Sequence, residues 1–121
     1  MNIKDLRIGA WNANGILNNK EEFSVYLKEN EVDICFISET HLTTQNYIKE
    51  NGYKIYHTTH PDNQAHGGSA IFIKNLKHNE DINIQLDKIQ LTVLNISSTK
   101  QNFKVGAVYM PPDIISKKKT I

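Results

Sequence analysis

Between Asp33 and Ser38 the chain runs Ile34-Cys35-Phe36-Ile37 without a polar interruption. A strand with apolar side chains on both faces must be covered on both, so it belongs inside a layered α/β domain. What precedes it fits that setting. Leu6 to Trp11 reads as a strand. Asn18 reads as a helix N-cap, with Glu21 three residues on to complete a capping-box-like pair. Phe23, Tyr26 and Leu27 fall at i, i+3 and i+4 on one apolar helical face, and the helix is expected to end near Asn30. The opening third is therefore β-α-β, a crossover that places two parallel strands in one sheet.

Both strands end on polar clusters: Trp11-Asn12-Ala13-Asn14-Gly15 after the first, Ser38-Glu39-Thr40-His41 after the second. Strand ends of one sheet converge in space, and the loops there are free to carry chemistry. The amide of Asn12 and the carboxylate of Glu39 are thus expected neighbours, suited to a metal or a phosphate.

Downstream the texture changes. Thr43 to Glu50 reads as a short helix carrying Tyr47 and Ile48, Tyr53 to His57 as a short strand, and Asp62 to Gly68 as a loop. Ser69 to Lys74 is a further strand. Ile82, Ile84 and Leu86 alternate with Asn83 and Gln85, as in a strand with one wet face. Ile89, Leu91 and Val93 continue the alternation until Leu94 and Ile96 shift its phase, which points to a bulge. Phe103, Val105, Ala107 and Tyr109 share one side of a last strand, stopped by Pro111-Pro112. One strong helix cannot cover both faces of such a sheet. An uncovered apolar face is expected, as in part of a larger domain.

At 121 residues the chain has the length of one domain, and 39% hydrophobic with 22% charged residues excludes a disordered tail. No apolar run approaches the length of a bilayer span, and Met1 to Asp5 lacks the apolar core of a secretory signal, so an intracellular home, nuclear or cytoplasmic, is expected. The net charge of +1 neither demands nor excludes nucleic acid. The single cysteine, Cys35, lies in an apolar run and reads as a small core residue.

Four motifs in order are Trp11-Asn12-Ala13-Asn14-Gly15, Ile37-Ser38-Glu39-Thr40-His41, Gly67-Gly68-Ser69-Ala70-Ile71 and Ala107-Val108-Tyr109-Met110-Pro111-Pro112. Together they resemble the endonuclease/exonuclease/phosphatase superfamily. Within it they are most similar to the apurinic-endonuclease-like domain of non-LTR retrotransposons of the jockey type. The resemblance runs from about Leu6 to Pro112, with 113–121 a loop or tail. It implies an α/β fold of DNase-I-like type, a four-layer αββα sandwich of which this chain would be the N-terminal half: a mixed β-sheet with one main helix. It implies DNA as substrate and Mg²⁺ or Mn²⁺ as cofactor. By motif position Glu39 would bind the metal, Asn12 would sit near the scissile phosphate and the metal, and Tyr109 would contact or polarise the phosphate. Asn14 falls where many apurinic endonucleases carry aspartate; the retrotransposon branch commonly has asparagine. The family's later Asp-x-Asn and Ser-Asp-His motifs, which supply the water-activating residue and a histidine, do not occur before the chain ends.

The chemistry suits these residue types. Mg²⁺ takes oxygen ligands and needs one or two carboxylates plus a substrate phosphate. An amide N–H or a tyrosine hydroxyl can donate to a phosphate oxygen without adding charge. None of the 5 histidines (His41, His57, His60, His66, His78) falls in a motif that would supply the base. Read singly, Glu39 is a solvated strand-end carboxylate, Asn12 a turn residue, Tyr109 and Trp11 packing residues, His41 a loop histidine, Gly67-Gly68 a tight turn, and Lys117 to Lys119 a solvated tail. Three functions stay open. The first is the N-terminal half of a retrotransposon endonuclease that nicks target DNA, inactive by itself. The second is a non-catalytic remnant or interaction fragment. The third is a phosphatase or lipid phosphodiesterase of the same superfamily.

Overall fold

The computed structural model describes residues 6–98 and 101–112. Strand β1 (Ile8–Asn12) is followed by a 3-10 turn (Ile16–Asn19), helix α1 (Lys20–Glu29) and β2 (Ile34–Ser38). Then come β3 (Lys54–Thr58), β4 (Ser69–Ile73), β5 (His78–Glu80), β6 (Ile84–Leu86), β7 (Ile89–Ser97) and β8 (Asn102–Tyr109). The first sheet has the order β1-β2-β4-β3, with β1 and β2 parallel and the other pairs antiparallel. The second is built on β7, which pairs with β8 along one edge and with β5 and β6 end to end along the other. The β-α-β opening and the mixed sheet are therefore present as the sequence implies.

The side-chain period of two explains why the first sheet is covered twice. Cys35, Ile37, Ala70 and Phe72 point to one face, where Phe23 and Leu27 of α1 close the core. Ile34, Ile71 and Ile73 point to the other and meet Leu94, Ile96 and Ala107 of the second sheet. Phe23 is the keystone of the helical layer. Its ring stacks on Trp11 at 4.8 Å and meets Phe72 edge-on at 5.0 Å. Cys35 is fully buried, and burial pushes its thiol up to about 12, as an inert core residue requires.

Several local expectations are corrected. The N-cap of α1 is Asn19, not Asn18, and it makes no side-chain cap. Its amide instead donates back to the carbonyls of Ala13 and Gly15, at 3.0 and 3.1 Å, and so serves the preceding loop. Thr43 to Glu50 forms no helix. The Asn46 side chain accepts the Thr43 N–H at 2.8 Å and closes a turn that competes with helix formation, leaving Tyr47 83% exposed. There is no bulge at Leu94, because β7 and β8 stay in unbroken register from Gln90–Tyr109 to Ser97–Asn102. The inner face of β7 is Gln90, Thr92, Leu94 and Ile96 throughout. Two buried polar residues, not a bulge, cause the apparent phase shift.

Ile84, Leu91 and Val108 are register partners and share the outer face of the second sheet, beside Leu86, which is 59% exposed. The apolar face without cover is therefore on this sheet. Inner positions of β1 are also bare: Ile8 is 60% exposed because the second sheet stops short of it. The tail at 113–121 lies outside the described residues.

Two tests follow from the packing. Phe23→Ala should cost about 3–5 kcal/mol in urea unfolding, whereas Val25→Ala on the exposed side of α1 should change stability by less than about 0.5 kcal/mol. The second concerns His57, whose Nδ1 is buried without a partner and whose pKa burial lowers from 6.5. Below that value the unfolded chain takes up a proton that the folded chain refuses. Stability should therefore fall as pH drops from 6.5 toward the folded value, by at most about 1.4 kcal/mol per pH unit. His57→Leu should remove that part of the slope in thermal melts run from pH 7 to about 5.

Candidate active site

The parallel register of β1 on β2 sets Asn12 beside Ser38, one residue before Glu39. The pairing does not stop with the strands. Backbone N–H groups of Ala13, Gly15 and Ile16 donate to the carbonyls of Ser38, Glu39 and Thr40 at 2.9, 2.9 and 3.0 Å. The two polar loops are thus laced together by main chain, and their side chains emerge at one rim of the sheet.

The Gly67-Gly68 turn is tied to the same rim. The N–H of His41 donates to the Gly67 carbonyl at 2.9 Å, and that of Thr40 to the Gly68 carbonyl at 3.3 Å. Both glycines have positive φ, +58° and +91°. A Cβ on Gly67 would lie 3.3 Å from the ring of Tyr109 and 2.5 Å from Gln90 Oε1. Only glycine lets β8's last residue and the buried glutamine approach this backbone. Tyr109, at the end of β8, and the loop that follows Glu39 therefore meet at this turn, while Asn12 stands at the end of β1 beside Ser38.

Each side chain has a definite state. The Glu39 carboxylate is half-buried and has no hydrogen-bond or ion-pair partner among the described residues. Its backbone, like that of His41, has a φ of 56°, a left-handed conformation sparsely used by non-glycine residues. Asn12 is exposed, and its Oδ1 accepts the N–H of Asn14 at 3.1 Å. That Asx-type turn occupies one Oδ1 lone pair and turns Nδ2 outward as a donor. Tyr109 is half-buried. Beside them a cleft of about 480 Å³ opens between the sheets, lined by Ala10, Asn12, Phe36, Ser38 and the Gly106–Val108 stretch of β8.

A buried polar network, missed in sequence, anchors this end of the molecule. Gln90 Oε1 accepts the Gly68 N–H at 2.9 Å, and its Nε2 donates to the Leu86 carbonyl at 2.7 Å. The Thr92 hydroxyl is 2.8 Å from that of Thr58 and 2.9 Å from that of Ser69, joining three strands. The signal was present: Gln90 and Thr92 alternate in phase with Leu94 and Ile96, so all four share the inner face.

The arrangement of a mixed sheet, a second sheet and one main helix defines a class, the DNase-I-like α/β fold of endonuclease domains. The chain superposes on the endonuclease domain of TRAS1, a telomere-specific non-LTR retrotransposon, with a TM-score of 0.65 and 19% identity, covering 93% of this chain and 50% of that one. It superposes on the catalytic domain of Xenopus laevis APE2 with a TM-score of 0.58 and 17% identity, covering 91% and 48%. Its homologues in sequence are jockey-type RNA-directed DNA polymerases. It is 34% identical over 108 residues to the RNA-directed DNA polymerase from mobile element jockey of Drosophila melanogaster. It is 36% identical over 109 residues to the probable RNA-directed DNA polymerase from transposon X-element of the same organism. Each match spans 88% of this chain but 12% of the relative. No family model matches the chain. Among the described residues no helix is long and apolar enough to cross a membrane.

The glycine at the centre of the rim can be tested directly. Gly67→Ala should destabilise the fold by about 1–3 kcal/mol and shift the ring resonances of Tyr109 in NMR spectra. Gly52→Ala, at a positive φ with open space around it, should cost stability but leave those resonances in place.

Proposed function

We propose that this chain is the N-terminal half of a metal-dependent endonuclease domain of a non-LTR retrotransposon, one that nicks target DNA to expose a 3′ hydroxyl for reverse transcription. The observation that supports the reading is the lacing of the Asn12 and Glu39 loops, with Tyr109 packed at the adjoining Gly67 turn, in a chain homologous to jockey-type polymerases.

The donor set fits a hard divalent cation. Glu39 offers an oxygen-only ligand that no described residue neutralises, and Asn12, paired with the residue before it, has a second lone pair on its Oδ1. These two residues would hold Mg²⁺ or Mn²⁺. Bound there with substrate, the ion would neutralise charge that builds on the phosphate oxygens. Asn12 Nδ2 is free to donate to a phosphate oxygen, and the Tyr109 hydroxyl would polarise the same group from the end of β8. Neither adds charge, so the site relies on placement of donors rather than on a basic surface, in keeping with a net charge of +1.

The second half of the domain would complete this half in two places. The outer apolar face bearing Ile84, Leu86, Leu91 and Val108 needs a covering layer, and β8 has a free edge among the described residues next to the open cleft. The same features support the other reading, a non-catalytic remnant that associates through this surface.

Supercoiled-plasmid nicking separates the two. With the sequence that follows Ile121 in its reading frame, the protein should nick plasmid in Mg²⁺, and Glu39→Ala should lower the rate about a hundredfold or more. The 121-residue chain alone should not nick. Unchanged nicking in Glu39→Ala would remove the metal role. Absence of nicking from the extended protein would favour the remnant.

A further inference from the structure

Between β3 and β4 the chain runs His60-Pro61-Asp62-Asn63-Gln64-Ala65-His66, a stretch to which the nuclease reading assigns nothing. Here two imidazoles and a carboxylate are drawn together. The rings of His60 and His66 stack with centroids 4.0 Å apart. His60 Nδ1 is 2.9 Å from Asp62 Oδ1, and His66 Nε2 is 2.7 Å from Asp62 Oδ2. One ligand atom from each of the three lies within 4.8 Å of the other two. We propose that His60, Asp62 and His66 form a transition-metal site of the zinc type that pins the β3–β4 loop, distinct from the oxygen site at Glu39.

The hydrogen bonding around His60 carries the assignment. His60 is only 7% exposed. Its Nε2 lies 3.2 Å from Asp87 Oδ1, on the turn between β6 and β7. The backbone N–H of Asp62 is directed at its Nδ1 at 3.2 Å. With a proton on Nε2 donated to Asp87, the single lone pair of Nδ1 serves either the Asp62 N–H or a metal ion, so an ion there would replace that N–H contact. Yet the Asp62 carboxylate stands 2.9 Å from that lone pair. When Nδ1 carries no proton, that nitrogen and the carboxylate oxygen offer two ligand atoms to one cation. A carboxylate that fixes one ring nitrogen while the other faces a metal is the usual support of a zinc-bound histidine.

The donor types select the ion. Imidazole nitrogens with one carboxylate suit Zn²⁺ and its transition-metal neighbours, whereas Mg²⁺ requires oxygen ligands. Three protein ligands leave a fourth position, and His66 and Asp62 are open enough to water to fill it with solvent. A bound ion would act on the rim next door, because His66 precedes Gly67, whose carbonyl binds the His41 N–H. Fixing this loop would fix the turn on which Tyr109 rests.

The test uses the whole chain stripped of metal by a chelator. Calorimetry should show one equivalent of Zn²⁺ bound, Co²⁺ should give the intense visible bands of a tetrahedral site, and Zn²⁺ but not Mg²⁺ should raise the melting temperature. His66→Ala and Asp62→Ala, both at accessible positions, should abolish stoichiometric binding. Asp87→Asn should weaken it about ten- to a hundredfold, and Glu39→Gln should bind Zn²⁺ as the unaltered chain does. No saturable Zn²⁺ binding, weak octahedral Co²⁺ bands, or equal affinity in His66→Ala would overturn the proposal. Loss of binding in Glu39→Gln would assign the ion to the other site.

Discussion

The rim of this protein exists because two parallel strands go on pairing after they have ceased to be strands. Hydrogen bonds from Ala13, Gly15 and Ile16 to the carbonyls of Ser38, Glu39 and Thr40 continue the ladder into both loops. A loop held only at its ends would let Asn12 and Glu39 wander, whereas a main-chain ladder fixes their spacing to that of neighbouring strands. The left-handed φ angles at Asn14, Glu39 and His41 show what the arrangement costs. Residues in that conformation persist where the surroundings over-determine them, and here the lacing does so.

A second constraint works from beneath. The first sheet is covered by α1 on one side and by the second sheet on the other, but the inter-sheet layer changes character along its length. At one end it is Ile34, Ile73 and Ile96; at the other it is Thr58, Ser69, Thr92 and Gln90. Every one of those buried polar side chains has a partner. A satisfied polar network specifies register more sharply than apolar packing, since a slip leaves donors and acceptors unpaired. It lies directly under the Gly67-Gly68 turn, so the part of the core that fixes register also supports the rim.

How much of this could be read from residues alone follows from what each signal depends on. The β-α-β opening, the buried β2 and β4, the last strand and the inert Cys35 were legible, because they rest on side-chain period and on burial of apolar runs. The helix expected at Thr43 to Glu50 was not, since the Asn46 side chain captures backbone that a helix would use. The N-cap was misplaced by one residue because Asn18 and Asn19 are equally good caps in sequence, and only the loop they serve distinguishes them. The bulge at Leu94 was an artefact of reading polar as outward. For the rim, the three candidate side chains come from the family resemblance that four ordered motifs carry. Gln90 and Thr92 left a trace in their phase with Leu94 and Ile96, but their partners across strands did not, nor did the His60–Asp87 pairing, which joins distant turns.

The distribution of donors around the rim also separates binding from chemistry. The oxygen and amide groups that the proposed function assigns to a cation and a phosphate lie at the ends of β1 and β8 and just after β2. His57, the histidine whose pKa burial lowers, is on β3 and has its free nitrogen shut away from solvent. General-base catalysis needs a base within hydrogen-bond reach of the attacking water. On the proposed function, this rim would hold an ion and a phosphate and the second half of the domain would supply the proton transfer. In such a division, metal affinity would depend on the lacing of β1 to β2. Turnover would depend on how a second half seats against β8 and the bare outer face. Mutations at Glu39 and at Val108 should then affect different steps, because one alters what the rim binds and the other alters what is brought to it.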